Sequence, residues 1–120
     1  MVQKKIAGVL GATGSVGQRF ILLLANHPTF ELKVLGASPR SAGKKYIDAT
    51  NWKQTDLMPT IAEDIIVTEC KADAFKDCDI VFSGLDADYA GPIEKEFREA
   101  GLAVVSNAKN YRREDDVPLV

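Results

Sequence analysis

The chain has little of the chemistry that builds independent sites. It carries one histidine and two cysteines. Cys70 and Cys78 do not make a disulfide framework and read as ordinary reduced thiols. Neither has a histidine or a third cysteine beside it, which argues against a metal site. Long apolar runs are also missing. The longest, residues 20–25, is far too short to span a membrane. No membrane partner is expected, and cytoplasmic residence is the default. Lys4 and Lys5 before an apolar run look like the start of a signal peptide. That run is short and flows into a glycine motif, so it reads as a first strand instead. An excess of one charge is lacking too. Fifteen Lys and Arg face 17 Asp and Glu, a net charge of -2. This gives no support to a nucleic-acid partner, which usually calls for a basic domain.

What is present is one ordinary domain. At 120 residues, 46% hydrophobic and 27% charged, the chain can bury a core without staples. Apolar runs place strands at 6–10, 32–37, 65–69, 80–83 and 102–105. A helix is expected over 15–26, with Val16, Phe20, Leu23 and Leu24 on its apolar stripe and Asn26-His27-Pro28 stopping it. His27 itself reads as a capping or solvated residue. A second helix is expected over 89–100, capped by Asp88, with Pro92 near its first turn and Gly101 ending it. Residues 72–76 read as a helical turn. Residues 46–63 show no period and read as an irregular excursion that Trp52 packs onto the sheet. Strands alternating with helices mean an α/β, Rossmann-type fold, a mostly parallel sheet with helices on both faces. The chain ends on the apolar run Val117-Pro118-Leu119-Val120, which reads as unfinished.

The run Gly11-Ala12-Thr13-Gly14-Ser15-Val16-Gly17 lies between the first strand and the first helix. Strand, glycine turn and helix N-terminus in that order form a phosphate cradle. The glycines turn the chain, let a pyrophosphate approach, or let the helix pack on the strand. The helix adds free N–H groups and its positive dipole end. The spacing GxxGxxG differs from the GxGxxG of common NAD sites.

The end of the second strand selects the cofactor. An NAD site places a carboxylate there for the ribose hydroxyls. This chain has Ser38-Pro39-Arg40-Ser41, with no carboxylate before Asp48. An arginine flanked by hydroxyls suits the extra phosphate of NADP. NADP is therefore expected over NAD, against the plainer reading of a solvated basic loop. Ser83-Gly84-Leu85-Asp86 follows the fourth strand and would bring Gly84 and Leu85 to the nicotinamide half. Without the glycine motif it would read as a plain strand-to-helix turn, and Asp86 and Asp88 read as helix-capping residues rather than acid–base groups. After the fifth strand, Asn107 is placed to donate to a cofactor or substrate oxygen, and Arg112 or Arg113 to grip an anionic substrate. Surface pairing with Glu114-Asp115-Asp116 is an equal alternative for the arginines.

The segments GVLGATGSVGQRF, GASPRSAGKKY, DIVFSGLDADYAG and VVSNAKNYRREDDVPLV together resemble the aspartate-semialdehyde dehydrogenase family, in its fungal type. The resemblance covers essentially the whole chain. It implies an enzyme that uses NADPH to convert L-aspartyl-4-phosphate into L-aspartate 4-semialdehyde with release of phosphate. That reaction feeds threonine, methionine, isoleucine and lysine biosynthesis. It implies that Gly11, Thr13, Gly14, Ser15 and Val16 form the pyrophosphate turn. Ser38, Arg40 and Ser41 become the 2′-phosphate clamp, and Leu85 a nicotinamide-side contact. Asn107 and Arg112 become substrate-side residues, Arg112 holding the acyl or inorganic phosphate. Residues 1–120 would be the NADP-binding domain. The family's nucleophilic cysteine and histidine base would lie in a catalytic and dimerisation domain outside this chain, within a homodimer or homotetramer. Neither Cys70 nor Cys78 matches the motif of that cysteine, so the chain itself is expected to bind cofactor without turnover. Two other readings are an N-terminal domain of another acyl-phosphate reductase, such as N-acetyl-glutamyl-phosphate reductase, and a non-enzymatic NADP-sensing module.

Overall fold

The computed structural model describes residues 5–25, 27–85 and 87–106, the side chains of 87–89 excepted. Its strands are β1 (Lys5–Leu10), β2 (Phe30–Ala37), β3 (Thr68–Glu69), β4 (Ile80–Ser83) and β5 (Ala103–Ser106). They form one parallel sheet in the order β3-β2-β1-β4-β5. β1 is central and buried from Ala7 to Leu10, which explains its unbroken apolar sequence. The strand order reverses at β1, which opens a crevice beyond the carboxyl ends of β1 and β4.

Helix α1 (Ser15–Ala25) covers one face of the sheet, with the short helices α2 (Tyr46–Ala49) and α3 (Thr60–Glu63) beside it. Helix α4 (Ala87–Glu99) and a 3-10 turn, Ala72–Phe75, cover the other. Each face has its own core. Ala7, Val9, Ile21, Leu24, Leu32 and Leu35 pack on the α1 side. Leu10, Phe75, Cys78, Val81 and Phe97 pack on the α4 side. The Phe75 ring lies directly on the sheet: a methyl group at Gly8 or Gly36 would stand 2.6 or 2.8 Å from it. Phe97 closes against it edge-on, with ring centroids 5.1 Å apart. Among the described residues no helix is long and apolar enough to cross a membrane.

Four local expectations need correction. Helix α1 buries Gly17, Gln18, Ile21 and Leu24, while Val16 and Leu23 face outward. The face is set by the closest backbone approach, at a glycine, and not by the largest side chains. β3 is only two residues long. Ile66 instead forms an antiparallel bridge with Lys45, and Val67 exchanges hydrogen bonds with Gly43 and Lys44. Helix α4 begins at Ala87, so Asp88 lies within its first turn and is not the residue before it. Pro92 is consequently sixth in the helix, where it has no N–H to give to the carbonyl four residues before it. Cys78, whose place just before an apolar run suggests a half-buried residue, is buried. Trp52 does pack on the α1-side core, half-buried and edge-on to Tyr46, and its indole N–H donates to the Asp56 carbonyl at 2.7 Å.

Candidate dinucleotide site

The site begins where β1 ends. Gly11 has φ +69, a conformation that side chains rarely adopt, and it turns the chain out of the sheet. Helix α1 then starts immediately above the strand. A methyl group on Gly17 would lie 2.1 Å from the Gly11 carbonyl oxygen, and one on Gly84 would lie 2.7 Å from the Gly17 nitrogen. Three backbones therefore meet with no room for a side chain. Gly84, expected to lie close to the nicotinamide half, also makes room for α1. Gly14 differs. A methyl group there would meet only the Gly11 carbonyl, at an ordinary 3.6 Å. Packing within the described residues does not require that glycine.

Hydrogen bonding polarises this turn. The carbonyl of Gly11 accepts from the Gly14 N–H at 3.1 Å, and that of Gly14 from the Gln18 N–H at 2.9 Å. The irregular excursion supplies most of the remaining donors. Tyr46 Oη donates to the Ala12 carbonyl at 2.6 Å, Thr50 Oγ1 to Thr13 at 3.3 Å, and Gln54 Nε2 to Ser15 at 3.2 Å. Every carbonyl from Gly11 to Ser15 thus accepts a hydrogen bond. The N–H groups of Thr13, Ser15 and Val16 make none within the described residues. A turn whose oxygens are occupied and whose N–H groups are free attracts an anion, and the helix dipole adds to that field.

Gln18 holds the excursion in place. Its side chain is fully buried, with Nε2 within 3.1 Å of the Thr13 carbonyl, Thr50 Oγ1 and the Asn51 carbonyl. Its Oε1 accepts from the Lys53 N–H at 2.9 Å. Sequence reading missed Gln18 and Tyr46. Nothing in the spacing marked either, because Gln18 lies off the apparent apolar stripe of α1 and Tyr46 outside any periodic segment. Burial raises the Tyr46 phenol to about 12, and its hydrogen bond with Thr50 offsets part of that rise.

A cavity of about 450 Å³ opens beside the turn, lined by Gly11, Thr13, Ala37, Ser38 and Pro39, by Glu69, Cys70 and Lys71, and by Leu85 and Ile93. Its size is within the range of ligand pockets, roughly 300–1,000 Å³. The structure thus joins Gly11, Thr13, Ser38 and Leu85 in one hollow. Gly14, Ser15 and Val16 are exposed on the turn above. Arg40 and Ser41 continue the turn that begins at Ser38, whose carbonyl accepts from the Ser41 N–H at 2.9 Å. Arg40 is exposed and has no ion pair among the described residues. Leu85, expected as a nicotinamide-side contact, shares this hollow with the ends of β2 and β3. Asn107 and Arg112 lie outside the described residues.

Neither thiol is arranged as a nucleophile. Burial raises Cys70, a backbone hydrogen bond with Gly11 lowers it, and the Glu69 charge raises it. Burial, then Asp77 and Asp79, push Cys78 up to about 11. At neutral pH neither supplies an appreciable thiolate. At the far side of the crevice, Glu94 is fully buried on α4. Its Oε2 accepts from Ser106 Oγ at 2.8 Å, and its Oε1 lies 3.6 Å from Arg98. That contact fixes the end of β5.

The semialdehyde dehydrogenase NAD-binding domain model matches residues 6–120. The chain is 82% identical over 120 residues to aspartate-semialdehyde dehydrogenase of Saccharomyces cerevisiae, covering all of this chain and 33% of that protein. It superposes with a TM-score of 0.88 on the crystal structure of aspartate-semialdehyde dehydrogenase with NADP from Candida albicans, at 71% identity over 98% of this chain and 33% of that one. For aspartate-semialdehyde dehydrogenase II complexed with ASA from Vibrio cholerae the TM-score is 0.70 at 28% identity, over 98% of this chain and 35% of that one. The chain spans about a third of the length of these relatives.

Two outcomes test the turn. Gly17→Ala is expected to destabilise the fold by about 1–3 kcal/mol or more through backbone overlap. Gly14→Ala should cost about 1 kcal/mol or less in urea unfolding while weakening dinucleotide binding at least tenfold. Equal stability losses in the two variants would remove the distinction. Tyr46 predicts an alkaline response. In the unfolded chain the phenol ionises near its ordinary value of 10, whereas in the fold it stays protonated to about 12. The unfolded state then binds fewer protons, so stability falls as pH rises between those values. Chemical denaturation across that window should show the fall in the wild type and a shallower one in Tyr46→Phe.

Proposed function

This chain belongs to the family of semialdehyde dehydrogenase NAD-binding domains, and we propose that it binds NADP as the cofactor-holding part of an aspartate-semialdehyde dehydrogenase. The whole enzyme would reduce L-aspartyl-4-phosphate to L-aspartate 4-semialdehyde and release phosphate, with NADPH supplying the hydride. The observation that carries this reading is a polarised glycine turn beside a second strand whose following turn carries Arg40 and no carboxylate. The N–H groups of Thr13, Ser15 and Val16 hold the pyrophosphate, and bare Gly14 lets it approach. Ser38, Arg40 and Ser41 grip the 2′-phosphate. A guanidinium does this through two parallel charge-assisted hydrogen bonds, and the hydroxyls through short single ones. Asn107 and Arg112 serve the substrate.

The described residues orient a cofactor; they do not break the acyl–phosphate bond. That chemistry needs a thiolate to attack the carbonyl and a base to take its proton. Cys70 and Cys78 stay protonated, and His27 lies at the end of α1, away from the crevice lining.

Titration of the purified chain with NADPH and NADH tests the cofactor assignment. NADPH is expected to bind tighter, and Arg40→Ala should weaken it by about 1.5–3 kcal/mol, the worth of a charged hydrogen bond, while NADH affinity stays unchanged. Equal affinity for the two nucleotides, or an Arg40→Ala variant that binds NADPH like the wild type, would refute the clamp. The same preparation, given aspartate semialdehyde, phosphate and NADP, should produce no NADPH absorbance. Turnover would show that the nucleophile is one of the residues dismissed above.

A further inference from the structure

We propose that Glu69 reads the base of the dinucleotide, accepting a hydrogen bond from the 6-amino group of adenine, so that the site selects adenine over a 6-oxopurine. This rests on the cofactor reading above and adds a specificity-determining residue to it.

The cavity has three kinds of wall. Gly11 and Thr13 belong to the anion-binding turn. Ala37, Pro39, Leu85 and Ile93 offer apolar surface of the kind that suits the faces of a flat ring. The third wall is Glu69, Cys70 and Lys71 at the end of β3. A carboxylate in the wall of a site for a polyanion needs a reason, because phosphates repel it. Its partner within the protein is weak. Glu69 Oε1 stands 3.8 Å from Lys71 Nζ, beyond hydrogen-bond length, with the Lys71 side chain largely exposed and that of Glu69 partly so. Lone pairs on Glu69 therefore remain for a neutral donor.

Position identifies that donor. Glu69 pairs with Ala37 across the β2–β3 ladder, about 4.8 Å away. Ala37 immediately precedes the ribose clamp at Ser38. Glu69 thus stands one strand spacing beyond the ribose, on the side away from the glycine turn. A base attached to that ribose, with its faces against Pro39 and Leu85, presents its edge there. An ionised carboxylate only accepts hydrogen bonds. Adenine offers an amino group at position 6, whereas hypoxanthine puts a carbonyl oxygen there, lone pair against lone pair. The N1–H of hypoxanthine lies one ring position away, and reaching it requires the base to slide along Leu85 and Ile93.

The test compares NADPH with its hypoxanthine counterpart, deamino-NADPH, by fluorescence titration of the whole chain. The wild type should bind deamino-NADPH at least about tenfold more weakly, as expected for loss of a hydrogen bond to a charged group. In Glu69→Gln the amide can turn to donate or accept, so the ratio should approach one. Glu69 is partly exposed at a sheet edge, and an unchanged melting curve will show that the variant folds. Arg40→Ala should weaken both nucleotides in proportion and leave the ratio intact. Equal wild-type affinities, or an unchanged ratio in Glu69→Gln, would overturn the role of Glu69 while leaving the cofactor reading in place. If neither nucleotide binds, both fall together.

Discussion

The site depends on how closely α1 approaches β1. Gly17 lies against the Gly11 carbonyl at a distance that excludes even one methyl group, and Gly84 closes the same contact from β4. This approach aims the first turn of α1 across the carboxyl ends of the central strands. A larger residue at position 17 would lift the helix, and the N–H groups of Thr13, Ser15 and Val16 would no longer share a focus. The helix dipole acts only within about its first turn, so a small displacement would remove most of its effect. Gly17 and Gly84 are therefore needed first for packing, whereas Gly14 is not held bare by its neighbours.

Close approach alone would not make an anion site, because a tight turn also exposes carbonyl oxygens. The excursion after β2 answers that. Tyr46, Thr50 and Gln54 each donate to a carbonyl of the turn, and Gln18 reaches back from α1 to anchor them. Residues 46–63 read as irregular, yet they hold the four-residue helices α2 and α3, each too short to show a period; between them Thr50 and Gln54 are placed by carbonyls across the fold. Buried polar groups linked in this way hold each other in one arrangement, since any member left unpaired would carry a desolvation cost.

The parallel sheet, the glycine turn and the basic end of β2 were all legible from residue order, because each follows from local patterning. β4 was placed residue for residue at Ile80–Ser83, and β2 began two residues earlier than its apolar run. The errors have a common cause. The buried face of α1 was misjudged because Gly17 and Gln18 occupy it, and neither is apolar in the usual sense. β3 was overextended because Ile65, Ile66 and Val67 are good strand formers that pair with the loop at 43–46 instead. Glu69 does not stand out in the sequence, because the carboxylate of an NAD site is expected at the end of the second strand, while the cavity wall continues onto the third. Tyr46 and Gln18 act across long sequence separations, and a single sequence does not display such pairs.

The short third strand has a consequence for self-association. An edge strand offers a row of unpaired N–H and C=O groups, and a long flat one invites another chain to add to it. Here β3 contributes two residues to that edge. The hydrophobic stretch just before it folds back against Gly43, Lys44 and Lys45. The sheet is thereby closed to growth on the side where its sequence is most strand-prone, and the residues that seal it lead directly into the wall of the nucleotide cavity.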